Sequence, residues 1–384
     1  MKRDLEQIPI PGQDEAEQRA WQVVSRAFAE HRPQPRPRRR TRPVLIAIAV
    51  GVGALIAVSV SPAGSDLVRS VREAVGLKKA APALTQLPTG GQLLVTSAEG
   101  PWIVQPDGSK RLLGGYREAS WSPHGLYVAV IRGHELLAVD PHGTAHWLLA
   151  RAGTLGLPRW APDGYRIAYL EGSNLRIIAG DGTGDRFFAD AVAHVAPAWR
   201  PSLTHEHVLA FSSAAGDLEL YAVDNNELYA RHPLPAPPVQ LLWSTDGERL
   251  VALTKHEISI FNHDGRPLGS IHLGRQAVAA AFEPHTHQLA VILAGARSDT
   301  VAFNVDRPNG PVQEIFSGTG RFSGLAWSPT DHWLLLAWPT ANQWVFIRTA
   351  PSQRIAAVSA IARQFNPGRR RVAFPTLDGW CCTQ

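Results

Sequence analysis

WAPDGYRIAYLEGSNLRIIAGDGTGDRFFAD, residues 160–190, reads as short apolar strands separated by polar turns. YRIAYLE is one strand, NLRIIAGDGTG a second with its turn, and DRFFAD a third, while the residues running up to Trp160 supply the strand before them. The same order recurs as YVAVIR, ELLAVDPHG and TAHWLLA after Trp121, and as RLVALT, EISIFNHDG and PLGSIHLG after Trp243. Each unit opens on an aromatic residue followed by a Pro or Gly turn: WSPHG at Trp121, WAPDG at Trp160, WRPSL at Trp199, WSTDG at Trp243, FEPHT at Phe282, WSPTD at Trp327 and FNPGR at Phe365. The spacings are 39, 39, 44, 39, 45 and 38 residues. A period of about 40 residues with four short strands per unit is the signature of propeller blades, each a small twisted sheet that cannot bury its faces without neighbours. Seven aromatics predict an all-β, seven-bladed β-propeller over 92–384.

The aromatics are expected to pack between adjacent blades as core, not to form a ligand cage. Pro123, Pro162, Pro329, Gly125, Gly164 and Gly247 are turn formers on the same logic. At the start, LLVTS, PWIVQPDG and KRLLG lack an aromatic-Pro entry; at the end, FNPGRRRVAFPT lacks outer strands. The two ends should therefore complete one blade and leave no open sheet edge.

Composition agrees. Of 384 residues 45% are apolar and 18% charged, with 33 Gly and 30 Pro, a balance that suits many strands and turns better than long surface helices. The net charge of +5 is local, because Arg32, Arg36, Arg38, Arg39, Arg40 and Arg42 contribute +6 and leave the remainder near −1. Without a basic stripe on the folded part, no nucleic-acid partner is expected. Cys381 and Cys382 are adjacent, offer neither a disulfide framework nor spaced metal ligands, and read as a frayed terminus.

Between Pro43 and Pro62 run eighteen uncharged residues, VLIAIAVGVGALIAVSVS, enough to cross a bilayer core of about 30 Å. The reading is a transmembrane helix over 43–62, a retained anchor in preference to a cleaved leader, with the preceding arginines placing the N-terminus in the cytoplasm. Within the cytoplasmic segment 1–42, Asp14 and Glu17 begin an amphipathic helix carrying Ala20, Trp21, Val24, Ala27 and Phe28, followed by an Arg/Pro-rich tether suited to anionic lipid. Trp21, Val24 and Phe28 are the candidate contacts for a cytoplasmic partner. Residues 63–91 read as a short juxtamembrane helix over 66–76 and the linker APALTQLPTGG.

A search for catalytic signatures finds no GxSxG, HExxH, CxxC or phosphate-binding glycine loop, so no enzyme activity is expected. His205 with His207, and His285 with His287, could place two imidazoles on one face, but no third or fourth ligand is assignable; they read as loop histidines, and no metal or cofactor is expected. GDGTGD at 180–185 falls where other blades turn and is read as a turn.

The set WSPHG, WAPDG, WSTDG and WSPTD, each followed by a strand like IAYL, resembles the WD-repeat-like blades of Tol-type translocation propellers, over about residues 90–384. The resemblance implies a binding scaffold; because WRPSL and FEPHT lose the Asp-Gly turn, it implies no ion site built on repeated turn aspartates. EAEQRAWQVVSRAF before the span and SDLVRSVREAVG after it also resemble actinobacterial membrane regulators of the anti-sigma type. The expected protein is a single-pass membrane protein with an extracytoplasmic propeller that binds a protein, peptide or cell-envelope ligand. It could be coupled to a cytoplasmic regulatory partner; the alternatives are an envelope scaffold of the Tol type and a propeller-associated hydrolase.

Overall fold

A computed structural model describes residues 81, 83–201, 206–303, 312–330, 332–368 and 372–382. Its strands form seven four-stranded antiparallel sheets among the described residues. Blade 1 contains β1(Gln92–Ser97), β2(Gly100–Val104) and β3(Lys110–Leu112). Blade 2 runs from β4(Glu118–Trp121) to β7(Ala145–Ala150), blade 3 from β8(Leu155–Trp160) to β11(Arg186–Ala189), and blade 4 from β12(Ala198–Trp199) to β15(Glu227–Pro233). Blade 5 spans β16(Gln240–Trp243) to β19(Pro267–His272), blade 6 β20(Gln276–Phe282) to β23(Gln313–Thr319), and blade 7 β24(Gly324–Trp327) to β27(Arg354–Ser359). The first strands of successive blades touch in cyclic order, which makes the seven sheets a closed ring around those strands.

The core explains the sequence pattern. The second and third strands of each blade bury both faces, so they read as nearly unbroken apolar runs. In blade 4, Leu209 and Phe211 pack with Trp199 against blade 3, while Val208 and Ala210 pack with Trp243 of blade 5. Trp160, Phe282 and Trp327 likewise fill the junctions with the blade before them, and Trp121 is partly buried against blade 1. Three of these indoles also pin the blades together: Trp199 donates to the Arg159 carbonyl (2.9 Å), Trp243 to Ala198 (3.1 Å) and Trp327 to Ala281 (3.1 Å). The acceptor is each time the residue preceding the aromatic of the previous blade.

The seventh aromatic is not Phe365. Ring closure is made by β28(Thr376–Cys381), which pairs antiparallel with β1 as the first strand of blade 1, and Trp380 occupies the motif position in the junction with blade 7. FNPGR instead follows a single helical turn, α1(Ile361–Gln364); Phe365 is wholly buried beneath blades 7 and 1 against Trp344 and Trp102. A turn motif alone does not identify a blade: the strand before it decides, and Phe365 has a helix there.

Two more expectations change. Cys381 and Cys382 are not frayed: Cys381 pairs with Gln92 in the sheet, and the two sulfurs are bonded to each other. The segment 81–91 is not a free linker, since Ala81 bridges Val358 on the outer strand of blade 7, Leu84 and Leu87 are buried, and the Gly90 carbonyl accepts the Trp380 indole (3.1 Å). The amphipathic helix with Trp21, Val24 and Phe28, the span 43–62 and the helix 66–76 lie outside the described residues. Among the described residues no helix is long and apolar enough to cross a membrane.

Candidate functional site

In an antiparallel blade the first and third turns lie on one rim and the second on the opposite rim. The first turns are the aromatic-Pro-Gly motifs. In blade 3 the Ala161 N–H donates to Arg166 and Gly164 N–H to Ala161, with Gly164 at φ +81°, a conformation that excludes most side chains.

On this rim the junction of blades 2 and 3 opens into a groove of about 490 Å³. Its floor is aromatic: Tyr127 lies nearly parallel to Trp160 at 6.5 Å, His146 meets Tyr127 edge-on at 5.0 Å, and Trp147 donates to the Gly180 carbonyl (3.0 Å). His124, Asp163 and Asp181 stand along its edges. The Thr183 hydroxyl and N–H hold the Asp181 carboxyl below the usual carboxylate range. Leu126 in the groove and the neighbouring Tyr165 are 63% and 60% exposed, an apolar display that folding alone does not require. The bonded cysteines adjoin this edge, with the Cys382 Sγ 3.3 Å from the Pro123 carbonyl oxygen.

Two of the histidines flagged in the sequence, His207 and His287, are pairing residues, and so is His332, which was not flagged. His207 sits between Asp163 of blade 3 (2.7 Å) and Asp224, His287 meets Asp246 of blade 5 (2.5 Å), and His332 meets Glu283 of blade 6 (2.6 Å). These pairs link blades 3 to 4, 5 to 6 and 6 to 7 along the first-turn rim. His285 packs edge-on to His332, and His205 lies outside the described residues. GDGTGD forms the expected turn, but its last residue does more: Asp185 takes Arg176 (2.5 Å), Arg151 and the Tyr169 hydroxyl (2.5 Å) inside blade 3. No group of three or more potential ligands suited to a metal occurs among the described residues.

A second cavity, of about 370 Å³, lies among the first strands, lined by Ser120, Trp121, Arg159, Gln240, Leu241, Leu242 and Asp378. Sequence reasoning missed its charges. Asp378 is the unpaired residue of a bulge in β28, and Arg159 ends a bulge in β8 that contains Leu157 at φ 54°. Bulges re-aim side chains, and no periodic pattern announces them. Asp378 is exposed towards the cavity, but the protein packed around it still desolvates its carboxyl and raises it to about 7, opposed by hydrogen bonds from Thr96 (2.6 Å) and Thr376 and by the charge of Arg159. The same carboxyl touches open space in the cavity, and water there moderates the shift. Burial likewise lowers the Arg159 guanidinium, against the attraction of Asp378 and Glu118.

Fold and sites together define a seven-bladed β-propeller with an aromatic groove on one rim and a charged cavity among its first strands. No protein-family profile matches the chain, and no curated protein does. Among solved structures it is similar to a chain of Kuenenia stuttgartiensis hydrazine synthase, at 14% identity and a TM-score of 0.49, over 60% of this chain and 75% of that one. Neither activity nor site is carried over from a likeness at that level.

Proposed function

We propose that the protein works by binding and not by catalysis, as a membrane-anchored propeller outside the cytoplasm that takes a protein or peptide segment in the groove between blades 2 and 3. The observation that carries this reading is the groove itself: stacked aromatics beneath, exposed Leu126 and Tyr165, and the carboxylates Asp163 and Asp181 at the edge. Such a surface suits a segment with apolar side chains and a basic residue. The uncharged run 44–61 supports the anchor, and the arginines before it support a cytoplasmic N-terminus. Trp21, Val24 and Phe28 would then give a cytoplasmic regulatory protein its contact.

Two measurements test the reading. Proteins co-purifying with the wild-type chain from solubilised membranes are compared with those held by Leu126→Asp plus Tyr165→Asp, and by Lys255→Asp on the opposite rim. Loss of a partner in the first variant alone supports the groove; equal retention in all three rejects it. For topology, Cys381 and Cys382 are changed to serine and a single cysteine is placed either at Lys2 or at His124. An impermeant maleimide should label intact cells only at His124, and the reverse pattern would place the propeller in the cytoplasm.

A further inference from the structure

We propose that the cavity among the first strands binds a small zwitterion of amino-acid size, its carboxylate on Arg159 and its ammonium group on Asp378. Arg159 is half-buried, and its guanidinium makes one hydrogen bond among the described residues, to the Pro158 carbonyl of its own strand (2.8 Å). No described carboxylate oxygen lies within 4.0 Å of it. A planar fork of N–H donors facing a cavity without a carboxylate partner is matched to an incoming carboxylate.

The opposite charge is also prepared. Asp378 lines the same cavity, held through one oxygen by the Thr96 hydroxyl (2.6 Å) and through the other by the longer contact of the Thr376 hydroxyl (3.5 Å). An ionised carboxylate offers about four lone-pair sites, so Asp378 keeps acceptor capacity beside these two hydroxyls. Arg159 and Asp378 both line the cavity without lying within 4.0 Å of each other, so opposite charges are present there without a direct ion pair between them. A phosphate-like dianion would meet the Asp378 carboxylate and a simple amine would meet the guanidinium; a zwitterion satisfies both ends. Leu241, Leu242 and Trp121 give an apolar wall for a side chain, and about 370 Å³ is at the lower end of small-molecule sites, consistent with one amino acid.

The test is titration calorimetry of the full chain in detergent micelles, with glycine, alanine and leucine as probes beside propionate and ethylamine, which carry one charge each. At least one amino acid should bind saturably and about tenfold or more tightly than either single-charge probe. Arg159→Gln should weaken that binding about 10- to 100-fold, with partial recovery in Arg159→Lys. Should Arg159→Gln unfold, Asp378→Asn serves in its place, and it should abolish the preference for the amino acid over propionate. Absence of amino-acid binding, propionate binding as tightly as alanine, or unchanged affinity in the folded variants would overturn the assignment.

Discussion

Trp327 and Trp121 occupy the same position in their blades, yet only Trp327 has its indole N–H satisfied; that of Trp121 is buried without a partner. A neutral hydrogen bond contributes about 1 kcal/mol net. Trp327→Phe should therefore lower the denaturation midpoint clearly more than Trp121→Phe; equal losses would show that the blade-to-blade bond adds nothing beyond packing. Asp378 makes a prediction about pH. Desolvation raises its folded carboxyl from the ordinary 3.8 towards about 7, with cavity water working against the rise, so the native state holds this proton where the unfolded chain has released it. That contribution to stability is complete below about pH 4 and lost as pH rises through about 7. Asp378→Asn should flatten the fall in melting temperature between pH 4 and 8, and a slope identical to wild type would mean that cavity water keeps the group ordinary.

At the scale of elements, β28 holds the ring shut. Deleting residues 376–384 removes Trp380 from the junction of blades 7 and 1 and leaves β1 as an open edge that can template association. The shortened chain should elute as oligomers or aggregates in size-exclusion chromatography; a stable monomer with an unchanged melting transition would contradict closure by β28. Six of the seven first strands were legible from the aromatic-turn period, because both follow from the same need to bury a blade between two others. The seventh was not, since Trp380 is followed by CCTQ and not by a Pro or Gly motif, and Phe365 imitates the motif after α1. The strap 81–91 was hidden for a similar reason: Pro and Gly spacing reads as linker, while the burial of Leu84 and Leu87 depends on surfaces of blades 7 and 1 that local sequence does not describe. Arg159 and Asp378 reach the cavity through bulges, which shift the two-residue alternation by one and so escape any reading based on it.

For the whole molecule, the period of the repeat specified the architecture but not the face that carries function. The groove residues come from turns of two different blades, and their stacking is visible only once blades 2 and 3 are side by side. The ring also keeps two features apart in space, a groove at the first-turn rim and a charged cavity among the first strands. The central claim, that this rim engages a partner, is tested most directly by photo-crosslinking in intact cells, with a photoreactive residue at Leu126 in one chain and at Lys255, on the second-turn rim, in another. The account predicts a discrete covalent adduct from position 126 that Tyr165→Asp in the same chain removes, and none from position 255. Adducts formed equally from both rims, or from position 255 alone, would contradict it.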